Sequence, residues 1–194
     1  STNYRHLTGD GIALAVQHKI ALKNVNYVQI HPTTFYSPDE KDRSFLISES
    51  VRGEGALLLD KNMHRFVNEL LPRDVVTKAI YAQMEKDHTT HVWEDLRPIG
   101  HEELVKHFPH IVEHCHKMGY DPEKEPIPVV PAQHYFMGGI DVNKESKTSM
   151  EHLYAIGETA CNGVHGKNRL ASNSLIEAVV YADTAAKHSI EHID

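Results

Sequence analysis

Polar side chains occur at five places in segments that are otherwise apolar or glycine-rich. They are His31 with Thr33, Ser48 with Glu49, Arg73 with Asp74, His134 before Gly138 and Gly139, and Arg169 with Asn173 and Ser174. Arginine offers paired N–H donors that match a carboxylate, and histidine offers donors that switch near neutral pH. Two arginines, two histidines and two hydroxyls have together the chemistry to bind a small dicarboxylate. The chain carries a net charge of −7, so a dianion site requires its positive groups to be concentrated locally.

Each of these places also has a structural explanation. His31 is placed to end a strand, Arg73 and Asp74 to form an ion pair in the first turn of a helix, and Ser172 or Asn173 to cap the last helix. Taken singly, the structural explanations are favoured. The dicarboxylate hypothesis rests on the group as a whole.

Other chemistries have weaker support in the sequence. His107, His110 and His114 are spaced i, i+3 and i+7, but Pro109 interrupts the helix that would align them. His101 begins a zincin-like motif that is not completed. We therefore expect no dedicated metal site. The sequence also lacks a Gly-x-Ser-x-Gly motif, a P-loop and the dinucleotide-binding glycine fingerprint.

The first half of the chain predicts elements that would position the polar residues. Residues 12–16 form an apolar run typical of a short buried helix, and residues 26–30 alternate as a strand that Pro32 interrupts. Residues 56–67 suggest a hairpin. A helix is predicted from Pro72, since proline is tolerated in the first turn.

The second half continues the alternation of helices and strands. A helix over 102–118, broken near Pro109, is followed by an extended proline-rich segment over 121–131 at the boundary between two lobes. Short strands are predicted at 140–142 and 153–156, and a closing helix at 172–190. The predicted class is therefore mixed α and β.

Composition excludes several classes of protein. The 194 residues are 40% hydrophobic and 24% charged, which is globular composition. No basic tract suggests nucleic acid or an anionic membrane surface, and no apolar stretch approaches the roughly 18 residues of a membrane helix. Cys115 and Cys161 are far apart in sequence and form no Cys-x-x-Cys motif, so we expect a reducing, cytoplasmic location.

Ordered motifs at these positions identify a family. The sequence resembles the fumarate reductase, succinate dehydrogenase and L-aspartate oxidase flavoproteins over essentially its whole length. The motifs are Gly9-Asp10-Gly11, Gln29-Ile30-His31-Pro32-Thr33, Glu49-Ser50-Val51-Arg52-Gly53-Glu54-Gly55, Pro72-Arg73-Asp74, His134 to Gly139, Ala155 to Glu158 and Val164 to Leu175. Residues 31–36 and 171–175 are most similar to the L-aspartate oxidase branch.

The resemblance implies an α+β fold in which a capping domain is flanked by parts of a split FAD-binding α/β domain. The capping domain would span 26–130, and residues 1–25 and 131–194 would belong to the FAD-binding domain. The family's N-terminal dinucleotide-binding segment has no counterpart in the sequence. We therefore expect this chain, by itself, to bind flavin weakly, to be inactive and to associate with itself through an exposed apolar surface.

The resemblance also implies an activity. It indicates FAD-dependent oxidation of L-aspartate to iminoaspartate, with oxygen or fumarate as electron acceptor. The product would enter quinolinate and NAD synthesis, which makes quinolinate synthase a candidate partner. The alternatives are a fumarate reductase or succinate dehydrogenase flavoprotein subunit and an inactive folded module.

Roles for individual residues follow from the matching motif positions. Arg73 matches the proton-transfer residue of the family, although a guanidinium acts so only in a perturbed site with a relay through Glu49 or Asp74. The residues expected at the substrate are His31, Thr33, Ser48, Glu49, His134 and Arg169. Those expected at the cofactor are Glu158, Asn173, Ser174 and Leu175. Two positions depart from the family pattern: Ser48, where relatives often have Thr, and Lys167, where they commonly have Ala.

Overall fold

The structure is a computed structural model that describes residues 1–38 and 43–192. The chain divides into two compact units, which are described separately. The first unit contains Ser1–Tyr4 and Ile30–Gln133. The second contains Arg5–Gln29 and continues from His134 to the end of the described chain.

Helices and strands alternate along the chain, as the sequence predicts. In order they are α1 (Asp10–Gln17), β1 (Leu22–Lys23), β2 (Val28–Phe35), α2 (Glu49–Gly53), β3 (Leu57–Leu59), α3 (Arg73–Asp87), β4 (Val92–Asp95), α4 (His101–His107), α5 (Pro109–Lys117), β5 (Ile127–Phe136), β6 (Gly139–Asp141), β7 (Ala160–Cys161) and α6 (Asn173–Glu191). Short 3-10 turns occupy Arg97–Ile99 and Gly157–Thr159. The predicted mixed α and β class is confirmed.

A four-stranded sheet in the order β2-β5-β4-β3 organises the first unit. β4 pairs antiparallel with both neighbours, and its Glu94 lies opposite Leu58 on β3 and Ile127 on β5. The core between the sheet and the helices is apolar, and Val76 and Ile80 of α3 are fully buried in it. The extended proline-rich segment therefore ends in a paired strand, since Pro128 lies opposite Trp93.

Pro32 does not interrupt its strand, so that prediction is wrong. β2 continues through Pro32 to Phe35. β2 is the outermost strand in the order of its sheet. An edge strand tolerates proline because one row of its backbone groups needs no ladder partner.

The predicted helix break near Pro109 is confirmed. α4 ends at His107, Phe108 adopts a non-helical conformation, and Pro109 begins α5. Proline fits this first helical position because the N–H it lacks would have no partner within the helix. Two short helices therefore replace one long one.

The second unit is built around a three-stranded sheet in the order β1-β6-β7. β6 pairs antiparallel with β1 and parallel with β7. Two glycines at its start permit close backbone contacts. A Cβ on Gly138 would lie 2.1 Å from the Asn24 carbonyl oxygen, and one on Gly139 would lie 2.3 Å from the Thr159 oxygen.

Two predictions for the second unit are corrected by its packing. α1 forms as predicted, but it is not a buried helix, because Leu14 and Val16 are 57% and 60% exposed. Residues 153–156 are not a strand. Within the described residues, Tyr154 makes an isolated bridge to Lys147, so this segment has no continuous ladder of strand partners.

Within residues 1–38 and 43–192, no helix combines the length and the apolar character needed to cross a bilayer.

Candidate functional site

An ion pair with two hydrogen bonds joins α2 to α3 in the first unit. Arg73 opens α3, and its Nε and Nη2 donate to Oε2 of Glu49 at 2.8 and 2.6 Å. The Arg73 side chain is 7% exposed, and that of Glu49 is 36% exposed. Arg73 was expected to pair with Asp74, but Asp74 faces Lys78 at 3.8 Å instead. The arginine is therefore oriented by a carboxylate 24 residues earlier in the chain.

His31 lies inside β2 rather than at the end of a strand, and it is almost completely buried. Its Nδ1 is 2.9 Å from the carbonyl oxygen of Thr33 and 3.2 Å from the amide nitrogen of Thr33. These contacts with its own strand hold the imidazole ring in one orientation. The ring nitrogens retain alternative tautomers, as a switchable donor requires.

Thr33 serves as a connector between β2 and the segment before α2. Its buried hydroxyl donates to the Ile47 carbonyl oxygen at 3.1 Å, and its carbonyl accepts the Ile47 N–H at 3.2 Å. Ser48 follows directly and caps α2, accepting the N–H of Ser50. Residues of the substrate set that are distant in sequence are thereby brought to neighbouring elements of one unit.

α3 is attached to the same strand. The hydroxyl of Thr77, four residues after Arg73, donates to the Ile30 carbonyl oxygen at 3.4 Å. Ile30 immediately precedes His31. The first unit thus gathers His31, Thr33, Ser48, Glu49 and Arg73 on contacting elements.

Sequence reasoning missed two buried charged residues beside this group. Arg52 on α2 is 2% exposed, and Glu94 on β4 is fully buried. Burial raises the pKa of Glu94 to about 8 in spite of the opposing charge of Arg52. Glu94 is a charged residue in a strand that has a paired neighbour on each side, where apolar residues are expected. This unusual position is the signal that could have identified it.

In the second unit, Arg169 occupies a buried polar environment. Its guanidinium carbon lies 4.3 Å from the ring centre of Tyr135, and its Nη1 donates to Ser174 Oγ at 3.2 Å. Gln29 fixes the backbone of the same loop, since its Nε2 donates to the Arg169 carbonyl oxygen at 2.7 Å. The pKa of Tyr135 is raised to about 12, mainly by burial. The other expected substrate residue of this unit, His134, is half-buried at the end of β5.

The expected cofactor residues suit a flavin nucleotide. The Glu158 carboxylate accepts the Phe136 N–H at 2.8 Å, and loss of solvent around it raises its pKa. Its second oxygen is an acceptor of the kind that binds a sugar-like hydroxyl. Asn173, Ser174 and Leu175 open the 19-residue α6, whose first N–H groups lack helical partners and favour electron-rich ligands. Residues of this unit thus offer both an acceptor and a set of backbone donors to FAD.

Ser172 does not act as the predicted side-chain cap. It lies at the N-cap of α6 with φ of 66° and makes no capping hydrogen bond. Without a side-chain cap, the N–H groups of Ser174 and Leu175 stay available to a ligand, whereas that of Asn173 donates to the Leu170 carbonyl oxygen at 3.4 Å.

A second buried pair lies farther along α6. Glu177 accepts a hydrogen bond from Asn162 Nδ2, and its Oε2 is 3.8 Å from Nε2 of His165. The pKa of His165 is lowered mainly by burial, against the influence of Glu177. This pair links α6 to the loop that carries Arg169.

The histidines spaced i, i+3 and i+7 do not converge on one point. His114 stacks on Phe45, whereas His110 is exposed. Among the described residues, one group offers donor atoms within 4.8 Å of each other, and it consists of the exposed Glu54, Glu103 and His107. His107 uses opposite ring nitrogens toward these two carboxylates, at 2.9 Å for Glu54 and 3.3 Å for Glu103. This is the geometry of surface ion pairs.

The family comparison decides what kind of domain these residues form. The model of the FAD binding domain family matches residues 1–175. The chain belongs to this FAD-binding family. The predicted resemblance to flavoproteins is thereby confirmed, as is the predicted cofactor class.

Curated relatives of this chain include L-aspartate oxidases. It is 54% identical over 194 residues to an L-aspartate oxidase of Clostridium perfringens, covering 100% of the chain and 44% of that relative. It is 48% identical over 191 residues to an L-aspartate oxidase of Nostoc sp., covering 93% of the chain and 33% of that relative. The chain therefore spans less than half the length of these relatives.

Solved structures support the same architecture. A quinol-fumarate reductase with menaquinol molecules superposes with a TM-score of 0.90 at 36% identity, covering 98% of the chain and 37% of that structure. A flavocytochrome c3 fumarate reductase in its open conformation gives 0.63 at 27% identity, covering 97% of the chain and 42% of that structure. The predicted fold type of the fumarate reductase flavoproteins is confirmed.

Proposed function

We propose that the protein carrying this chain is an FAD-dependent L-aspartate oxidase that converts L-aspartate to iminoaspartate. The observation that carries the proposal is the 54% identity to an L-aspartate oxidase across all 194 residues. Its chemical support is the set of cationic and polar residues within each unit. When bound, FAD supplies the acceptor for the hydride that leaves the substrate Cα.

The proposed substrate residues neutralise the two carboxylates of aspartate. His31 and Ser48 of the first unit, and His134 and Arg169 of the second, supply the N–H and O–H donors. Arg169 is well suited, because its buried guanidinium lies over the Tyr135 ring and is oriented by Ser174. A donor set preorganised in this way loses little entropy when it binds a carboxylate.

The proposed proton acceptor is the Arg73–Glu49 pair. Oxidation of an amine to an imine releases a proton from the substrate nitrogen, and this proton needs an acceptor. A guanidinium alone holds its protons tightly, but Arg73 donates two short hydrogen bonds to a partly exposed carboxylate. We propose that Arg73 contacts the substrate and that Glu49 receives the proton and exchanges it with solvent.

The proposed cofactor contacts lie in the second unit. Glu158 is proposed to bind a ribityl hydroxyl, and Asn173, with the backbone N–H groups of Ser174 and Leu175, to lie at the electron-rich edge of the ring system. The positive end of α6 favours negative charge at that place. We accordingly propose that residues 1–25 and 131–194 form parts of an FAD-binding domain and that residues 26–130 form a capping domain.

A visible spectrum tests this proposal. The protein carrying this chain, purified with FAD and desalted, is expected to retain flavin that is bleached by anaerobic L-aspartate. The 194-residue chain alone is expected to retain little flavin. Retained flavin that does not respond to L-aspartate would contradict the proposed activity.

A fumarate reductase or succinate dehydrogenase flavoprotein is the second candidate, favoured by the TM-score of 0.90 to a quinol-fumarate reductase. Anaerobic succinate distinguishes it. Bleaching by succinate but not by L-aspartate would select this candidate. Reoxidation of the reduced protein by oxygen or by fumarate would then identify the electron acceptor.

Partners and location complete the proposal. Iminoaspartate is unstable in water, so we propose direct use by a quinolinate synthase. A reducing, cytoplasmic location is consistent with Cys115 and Cys161, which are both buried and unpaired. Incubation of the two purified enzymes, with quinolinate yield as the readout, tests the first point.

We further propose that the 194-residue chain alone associates with a second copy of itself through the second unit. α6 exposes an apolar stripe of Leu175, Ile176, Val179 and Val180, each more than half exposed. An apolar groove of about 530 Å³ between α1 and the segment around Leu153 lies in the same unit. Apolar surface of this extent promotes association.

A further inference from the structure

Four buried polar atoms in the first unit have complementary chemistry and no hydrogen-bond partner in the described part of the chain. Arg52 contributes two donors, Nε and Nη2, and Glu94 contributes two acceptors, Oε1 and Oε2. Arg52 is 2% exposed, and Glu94 is 0% exposed. Buried charges of this kind are costly unless they are paired. Two donors and two acceptors have the chemistry of a bidentate arginine–carboxylate pair, although the structure shows no hydrogen bond between them.

Hydrogen bonds through Glu69 connect the Arg52 side chain to β3, the strand that pairs with β4 at Glu94. Arg52 donates through Nη1 to the Glu69 carbonyl oxygen at 2.8 Å. Glu69 in turn accepts the Leu58 N–H at 2.8 Å, and Leu58 lies directly opposite Glu94 in the sheet. The charges of Arg52 and Glu94 also act on each other's pKa. Arg52 is thus attached to the β3–β4 ladder at the level of Glu94.

Arg52 is also linked to the proposed proton acceptor. It shares the five-residue α2 with Glu49, three positions earlier, which places the two on one helical face. Glu49 holds both donors of Arg73. Because α2 has only five residues, Arg52 and Glu49 lie within one helical turn of each other.

We propose that Glu94 is a positioning residue for the Glu49–Arg73 pair and acts through a buried ion pair with Arg52. The predicted effect on catalysis rests on the proposed oxidation of L-aspartate, whereas formation of the Arg52–Glu94 ion pair does not depend on it. Ionised Glu94 pairs with Arg52 and holds α2 in place. Protonated Glu94 leaves the guanidinium bound to Glu69 alone.

The groups that face Glu94 determine the pH range of this effect. Arg52 on α2 lowers the pKa of Glu94, whereas burial and the charge of Glu69 raise it, with a result of about 8. Cys115 on α5 has its own pKa raised to about 12 by burial and by Glu94, so it stays a neutral thiol around pH 8. The ion pair is therefore expected to form as the pH rises through about 8.

Arginine side-chain NMR on the ¹⁵N-labelled chain tests the ion pair without any cofactor. The Nε–H signals of Arg52 and Arg73 are assigned with the Arg52→Lys and Arg73→Lys variants. Both signals are expected to titrate together with a midpoint near pH 8. Glu94→Gln, which keeps the side-chain shape, is expected to hold both at their low-pH positions, and Glu94→Asp to restore part of the shift.

Glu113→Gln is the matched control, because Glu113 is an exposed carboxylate of the same unit that pairs with Lys117. In this variant, the Nε–H signals of Arg52 and Arg73 are expected to titrate as they do in the unaltered chain. A titration that persists in Glu94→Gln would overturn the proposal. So would a shift of Arg52 that Arg73 does not follow.

The catalytic consequence is tested on the FAD-loaded protein carrying this chain. Near pH 6, Glu94→Gln and the unaltered protein are expected to have equal kcat, since both then hold a neutral side chain. Above about pH 8, kcat of the unaltered protein is expected to be about tenfold higher, with KM within about twofold. Equal kcat at high pH would contradict the positioning role. Absence of aspartate turnover in the unaltered protein would contradict the proposed function, while the NMR titration still decides the ion pair.

Discussion

Arg73 and Glu49 are joined by two hydrogen bonds to a single oxygen: Nε and Nη2 of the arginine both donate to Oε2, at 2.8 and 2.6 Å. Fork-like donation of this kind requires the planar guanidinium, which a lysine ammonium does not reproduce. The contact therefore depends on two properties of Arg73, its positive charge and its planar geometry, and a substitution can remove one while keeping the other.

Arg73→Lys keeps the charge and loses the geometry. We expect kcat for L-aspartate oxidation to fall by about 100-fold, because the donor facing the substrate is no longer held in place. Steady-state kinetics on the FAD-loaded protein measure the effect. Lys117→Gln in the same unit, which removes an exposed ion pair with Glu113, is the control and should retain full activity. Unchanged turnover in Arg73→Lys would remove Arg73 from the mechanism.

The stability of the first unit is expected to fall as pH rises from about 4.5 to about 8. The pKa of Glu94 is raised from 4.5 to about 8 by burial, so the native state holds a proton that the unfolded chain has released. The resulting stabilisation of the native state, roughly 5 kcal/mol, is fully present below about pH 4.5. It is lost as the pH rises to the folded pKa of about 8 and changes no further above it.

Denaturant unfolding followed by Trp93 measures this loss, since this single tryptophan adjoins Glu94 on β4. The difference in unfolding free energy between the unaltered chain and Glu94→Gln is expected to change across this pH range. The same difference for Glu113→Gln should not show that change. If the unfolding free energies of the unaltered chain and of Glu94→Gln change with pH in the same way, the pKa of Glu94 is not raised by burial.

Gly138→Ala is expected to destabilise the second unit by about 3 kcal/mol or more, because the added Cβ meets backbone rather than a flexible side chain. The Asn24 carbonyl oxygen lies 2.1 Å from the Cβ position. Gly53→Ala is the control, since its Cβ would have no atom within 4 Å, and it should stay within about 1 kcal/mol of the unaltered chain. Thermal unfolding by circular dichroism compares the two. Equal melting temperatures would show that the strand shifts to accommodate the methyl group.

Self-association of the isolated chain is expected to depend on the apolar stripe of α6. Ile176→Lys with Val179→Lys places two charges on side chains that are 63% and 70% exposed. Sedimentation over a range of concentrations should show the unaltered chain above its 22.0 kDa monomer mass and the variant close to it. Asp183→Asn, on the same helix in an exposed pair with Lys187, should behave like the unaltered chain. A monomeric unaltered chain would refute the association.

The sequence by itself determined the local elements and the family. Local sequence patterns placed the start of α3 and both ends of α6 within one residue, and Pro109 predicted the break between α4 and α5. These succeed because helix formation and proline effects depend on neighbours a few positions away. The flavoprotein family was likewise identified from short motifs around His31, Arg73 and Arg169, each of which is contiguous in the sequence.

The tertiary structure decided which side chains meet. Glu49 rather than Asp74 holds Arg73, β2 passes through Pro32 at a sheet edge, and Glu94 faces the core beside Arg52. Periodicity reports that a face is buried, but it does not report what packs against that face. Contacts between segments tens of residues apart are selected by the packing of the whole unit, which no local pattern encodes.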